Sequence, residues 1–222
     1  MNGTSAPVTA TEPASQWVPA AWDDFLRLSS HPSCAKTKGY YFNSQMRLEA
    51  MEGSAAHASA YSILILTLAL WCCAKEVAMV GWVNCSYRKA GVREAQPDIS
   101  YYVGDRAALA PQGRAIANLD DTPPPDLAIE IADSSLADDL GIKRLLYEEL
   151  NVAEYWVVDV TTCQLIAFQI ADQGSRRITV SQVLTGLELS VLQAALEEQS
   201  KQTENSQVVA QLMTQFQRSR EA

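Results

Sequence analysis

The sequence predicts an α/β fold, and three observations carry that prediction. Two strand-like segments, Ile99–Val103 opened by Pro97-Asp98 and Pro125–Ala132, have side chains two apart sharing a face. A helix-like run from Asp138 to about Leu150 separates the second of them from another strand-like segment, Glu154–Asp159. The run Ile63–Ala74, the most apolar in the chain, reads as a buried helix.

The bulk numbers narrow the possibilities. A length of 222 residues suits one domain with a sizeable core. A net charge of -9 counts against a broad nucleic-acid surface, because phosphate binding favours clustered Lys and Arg. The five cysteines, Cys34, Cys72, Cys73, Cys85 and Cys163, include no Cys-x-x-Cys spacing, so neither a zinc cluster nor a complete disulfide framework is expected. A reducing, cytoplasmic setting is expected instead. Ile63–Ala74 is shorter than the ~20 apolar residues that span a bilayer, so no membrane association is expected.

In chain order, residues 1–20 are rich in Ala, Thr, Ser and Pro and read as a flexible extension. Trp22–Leu28 suits a short helix. Tyr40–Phe42 and Met46–Ala50 suit two strands joined by a turn at Asn43-Ser44, with Arg47 and Glu49 on the face opposite Met46 and Leu48. Glu52-Gly53-Ser54 breaks the pattern before a helix over 56–75. Val77–Tyr87 is β-like, Lys89–Gln96 reads as a polar loop, and residues 104–125 form a long connection ending in three prolines. Asp133-Ser134-Ser135 supplies cap chemistry for one helix running to about Leu150, and Asn151 suits its left-handed end. Residues 155–160 and 165–170 suit a hairpin, and a short strand is expected near 177–182. Residues 21–186 make up the expected core domain. Residues 187–222 read as a helical tail, with apolar faces to hide against the core or against a second copy in a homodimer or larger homo-oligomer.

Asp98, Ser100 and Tyr102 share one strand face; Asp126, Ala128 and Glu130 share another. Two carboxylates on adjoining strands with a lysine nearby suit a divalent ion and an attacking water. Glu130 is the most telling of them, since a carboxylate inside an apolar strand must be paired, protonated or metal-bound. Asp126 reads as a residue capping the start of its strand, and His57 as a capping or packing residue.

Pro97-Asp98, Pro125–Ile131, the Asp139–Lys143–Tyr147 helix and Glu154–Asp159, in that order, resemble the Uma family of restriction-endonuclease-like proteins, a branch of the PD-(D/E)XK nuclease superfamily. Weaker likeness reaches Met46–Glu49, His57 and Ser181–Leu184. The resemblance implies a central mixed sheet flanked by helices, and a Mg2+ (or Mn2+) dependent endonuclease hydrolysing DNA phosphodiesters. It implies Asp98 and Glu130 as metal ligands, and Glu49 as a further catalytic acid with Glu52 as its alternative. The usual lysine position, two residues after the second acid, holds Ala132. Lys143, one helix later, is the replacement the resemblance offers. The other readings are a catalytically weak nuclease-fold protein acting as a homo-oligomeric regulatory module, and a hydrolase of RNA or nucleotides. No Gly-rich phosphate loop and no Ser-His-Asp arrangement is recognisable.

Overall fold

The computed structural model describes residues 16–51, 53–113, 116–201 and 204–221, the last four by backbone alone. Two six-stranded sheets and six α-helices make up the described chain. The first sheet begins with β1 (Val18–Pro19), β2 (Thr37–Phe42) and β3 (Gln45–Ala50). Between β1 and β2 lies α1 (Trp22–Ser29), which buries Phe25 and Leu28. Asn43 and Ser44 both have positive φ, the geometry that lets a two-residue turn match the twist of a hairpin, so β2 and β3 pair in tight register.

Helix α2 (Ala55–Lys75) is capped by the Ser54 hydroxyl, which accepts from the His57 amide, and it ends in left-handed Glu76. It is one residue longer than the sequence predicts and is long and apolar enough to cross a membrane by length and composition. Its Ile63, Leu64, Leu68 and Trp71 are instead buried in the main core. Strands β4 (Met79–Val83), β5 (Tyr87–Lys89), β6 (Arg93–Ala95), β7 (Ile99–Val103) and β8 (Ala117–Asn118) follow, with a 3-10 turn at Gly104–Leu109. The expected polar loop at 89–96 therefore contains β6, and the long connection contains β8. Both are too short for alternation to reveal, and both are held by pairing to β5.

β9 (Leu127–Ala132) leads to α3 (Leu136–Leu140) and α4 (Ile142–Glu149), then to β10 (Glu154–Asp159), β11 (Gln164–Ala171) and β12 (Gly174–Ile178). Two helices stand where one was expected. The chain turns at Gly141, where a Cβ would lie 2.9 Å from the Ala137 carbonyl oxygen. Asn151 has the expected left-handed conformation. The last predicted strand lies earlier than expected, at Gly174–Ile178.

The second sheet runs β12-β11-β10-β9-β7-β4, antiparallel except for the β10–β9 pair. One face carries Leu127, Ile129, Ile131, Trp156 and Val158 against α2, α5 (Leu189–Ser200) and α6 (Asn205–Glu221). The other face carries Ala128, Ala132, Tyr155 and Val157, packed with Tyr40, Leu146 and Tyr147. The first sheet, β1-β3-β2-β6-β5-β8, meets the second on this side. The expected single central sheet is thus accompanied by another, and the two meet at a buried polar cluster.

The structure bears on both ends of the expected core domain. The extension expected over residues 1–20 ends earlier, because Val18 and Pro19 pair with Met46 and Gln45 and Trp17 donates to Asp138 at 2.6 Å; residues 1–15 lie outside the described residues. The tail beyond residue 187 belongs to the core: Leu192, Leu196, Val208, Leu212 and Phe216 are buried with α2. Much of the apolar surface of these helices is therefore covered within the chain, with Met213 left exposed.

Candidate functional site

Period-two geometry brings the site together. On β2, Lys38, Tyr40 and Phe42 share one face, while Tyr41 points to α1. On β3, Arg47 and Glu49 share the matching face, and register places Lys38 opposite Glu49. On the second sheet, Glu130 lies between Ala128 and Ala132 on the face turned toward this hairpin. Asp98 precedes β7, next to β9. Helices α3 and α4 close the cluster with Asp139, Lys143 and Tyr147, all buried.

Lys38 lies at the centre. Its Nζ stands 3.1 Å from Asp98 Oδ1, 3.1 Å from Glu130 Oε2 and 3.8 Å from Glu49 Oε1. Two carboxylates from adjoining strands thus converge on one cation, an ammonium. Each also has partners that fix its second oxygen. Asp98 Oδ2 accepts the Ile131 amide at 2.8 Å. Glu130 Oε1 accepts the hydroxyls of Tyr40 and Tyr147 at 3.0 and 2.8 Å. His57 Nε2 is 3.5 Å from Asp98 Oδ1.

Lys143 forms the second half of the cluster. Its Nζ is 2.8 Å from Glu49 Oε2 and 2.7 Å from Asp139 Oδ1, an i,i+4 contact kept across the break at Gly141. Arg47 Nε is 3.0 Å from Glu49 Oε2. Ser135, expected to cap the helix through its hydroxyl, gives that hydroxyl to Asp139 Oδ2 at 2.6 Å. Asp126 lies apart: it accepts the Val103 amide at 2.8 Å and pairs with Arg106. Glu52 lies outside the described residues.

Burial would discharge every group here, and the partners decide which ones stay charged. For Lys38 and Lys143, burial lowers the pKa, but the carboxylates around each outweigh it and hold it above the ordinary lysine value. For Asp98, burial is outweighed by Lys38, His57 and the Ile131 amide, so its carboxyl lies well below the usual range. Glu49 is lowered in the same way, chiefly by Lys143 and Lys38. Burial wins at Asp139, and it pushes Glu130 up to about 7 despite both lysines. The site therefore holds two carboxylates kept charged, Asp98 and Glu49, beside two that burial pushes toward the protonated form, Glu130 and Asp139.

Asp98, Glu130, Lys143 and Glu49, the residues expected from the sequence, all lie in this cluster. Asp98 and Glu130 share Lys38; Glu49 links the two lysines; Lys143 reaches Glu49 and Asp139. Lys38 and the hydroxyl roles of Tyr40 and Tyr147 are not among the expected residues. A lysine two residues before a buried tyrosine, in a strand otherwise made for burial, was the available signal.

The cluster opens to the surface beside Asp98 and Lys38, in a cleft of about 260 Å³ whose walls include Met51, His57, Tyr61 and Asn84. Among the described residues no three His, Cys, Asp or Glu side chains form a preformed metal cage. The donors nevertheless suit magnesium, which takes one or two carboxylates and keeps several waters. Asp98 Oδ1 and Glu130 Oε2 already face one cation position.

Residues 22–211 match the family model described as "Uma2: Putative restriction endonuclease". Among solved structures, a putative nuclease of the DUF820 group from Anabaena variabilis is similar with a TM-score of 0.57 at 16% identity, covering 80% of this chain and 99% of that one. No curated protein matches the sequence.

Proposed function

Because the chain belongs to the Uma2 family of restriction-endonuclease-like proteins, we propose that it is a magnesium-dependent endonuclease that hydrolyses DNA phosphodiester bonds. The observation that supports this is the convergence of Asp98 Oδ1 and Glu130 Oε2 on one cation, each 3.1 Å from the Lys38 ammonium. Asp98 and Glu130 would hold the metal, which when bound lowers the pKa of a coordinated water and offsets charge building on the phosphate.

The chain's own groups set the conditions for that chemistry. Asp98 stays anionic, aimed by the Ile131 amide. Tyr40 and Tyr147 occupy Glu130 Oε1, which leaves Oε2 directed at the cation position. Lys143 neutralises Glu49 and Asp139, and its field is the largest influence favouring a charged Glu130. DNA would approach from the cleft beside His57 and Tyr61, the opening that reaches Asp98.

A second reading has an observation of its own. The cation position between Asp98 and Glu130 is filled by a side chain of the same protein, as in a nuclease fold that has given up catalysis and serves as a homo-oligomeric regulatory module. Cleavage of supercoiled plasmid with Mg2+ or Mn2+ separates the two. Wild type should nick or linearise the plasmid and Asp98→Asn should not. A wild type that is inert with either ion, and indistinguishable from Asp98→Asn, would favour the second reading.

A further inference from the structure

We propose that Lys38 is a built-in counter-ion of the metal-free site, and that a divalent ion binds by displacing its ammonium from between Asp98 and Glu130 into the adjoining cleft. This rests on the metal-site reading above.

The geometry forces an exchange. The Lys38 ammonium uses Asp98 Oδ1 and Glu130 Oε2, the two oxygens that remain after the Ile131 amide and the two tyrosine hydroxyls have taken the others. A divalent ion seeking those lone pairs would meet a positive charge at contact distance. Two cations cannot share that position, and the low polarisability of a buried site makes their repulsion stronger than in water. Lys38 is 2% exposed, so its head group is held wholly by this cluster.

A route out exists. Lys38 itself lines the cleft beside His57, Tyr61, Asn84 and Met51. Its flexible four-carbon stem can carry the ammonium there while β2 stays in register with β3. Lys143 does not line this cleft. It is fully buried, held between Glu49 and Asp139, and remains in place. The two lysines therefore have different duties, one fixed and one exchangeable.

The test is calorimetric titration of Mn2+ into the full chain, into Lys38→Met and into Lys38→Arg, with thermal unfolding in parallel. Lys38→Met keeps much of the stem and removes the charge. It should bind Mn2+ at least about tenfold more tightly than wild type, and Mn2+ should raise its melting temperature more than that of wild type. Lys38→Arg keeps the charge on a forked, five-donor head group, so it should bind no more tightly than wild type. If Lys38→Met is unfolded in metal-free buffer, its refolding on addition of MnCl2 reads the same exchange, and failure to refold counts against the proposal. Equal Mn2+ binding in wild type and Lys38→Met would overturn the counter-ion role and leave the metal site standing. Absence of binding in all three would overturn the metal-site reading, and the counter-ion role with it. Binding by Lys38→Met alone would support the proposal in its strongest form.

Discussion

Glu130 concentrates the chemistry of this site in one side chain. It is buried, bonded by two tyrosine hydroxyls and one ammonium, and its carboxyl is pushed up to about 7. Over the range from the ordinary carboxylate pKa to about 7, the folded chain therefore holds a proton at Glu130 that the unfolded chain has lost. Folding takes up that proton, so this group's contribution to stability falls as pH rises through the window. Asp98 and Glu49 work in the opposite sense: their depressed carboxyls add stability above the carboxylate range and lose it on acidification. Urea unfolding followed at several pH values between about 5 and 8 should show the Glu130 decline, and Glu130→Gln should flatten it. An unchanged pH slope in Glu130→Gln would place the titrating proton elsewhere. Glu130 was legible in the sequence because it interrupts an apolar strand, while Asp98 and Glu49 were expected from the family resemblance. Lys38 was not, because its partners are 60 and 92 residues away and nothing local to Thr37–Phe42 specifies them. Tyr40 and Tyr147 were legible as buried rings, but where a hydroxyl points depends on which sheet faces it.

At the scale of elements, the α3–α4 break shows how a local irregularity serves the site. A continuous helix was the natural reading of residues 136–150, since one glycine inside a helical pattern is tolerated at a cost of about 1 kcal/mol. The chain instead changes direction at Gly141, and Asp139 and Lys143 on either side still meet at 2.7 Å. The approach of the Ala137 carbonyl leaves no room for a side chain, as a Cβ would stand 2.9 Å from its oxygen. Gly141→Ala should therefore cost roughly 1–3 kcal/mol, as overpacking does, where an ordinary helical glycine would gain from the same change. Chemical denaturation of the variant checks the sign, and a more stable protein would mean that the break carries no constraint. The long, strongly patterned elements, β7, β9, β10, β11 and α2, were all readable from periodicity. Strands β6 and β8 were not. They have three and two residues, too few for alternation, and exist because β5 offers them an edge. The extent of the first sheet beyond its β2–β3 hairpin was invisible in the sequence for that reason.

The whole molecule is arranged in layers, with the site on one side of the second sheet and the C-terminal helices on the other. The sequence left the destination of those helices open between the core and a second copy of the chain, because an amphipathic pattern fixes which face is buried but not what buries it. The structure supplies the partner: Val208, Leu212 and Phe216 of α6 are buried in the core that holds α2, and the Phe216 ring meets Trp71 edge-on at 5.2 Å. Full burial of such side chains stabilises by about 1.5–3 kcal/mol each. Three of them thus approach the 5–15 kcal/mol by which a domain of this kind is stable at all. A chain ending at Lys201 would also uncover the Trp71 ring that Phe216 packs against. Such a truncation should lose cooperative unfolding by circular dichroism, bind a hydrophobic dye, and aggregate in light scattering. An oligomerisation tail would behave differently, since its removal would turn an assembly into a well-folded monomer with an unchanged melting temperature. That outcome would assign α6 to contacts between copies, whereas collapse of the fold assigns it to the core. Phe216→Ala grades the same question with the chain left at full length, and should cost about 3–5 kcal/mol if the ring is packed as described.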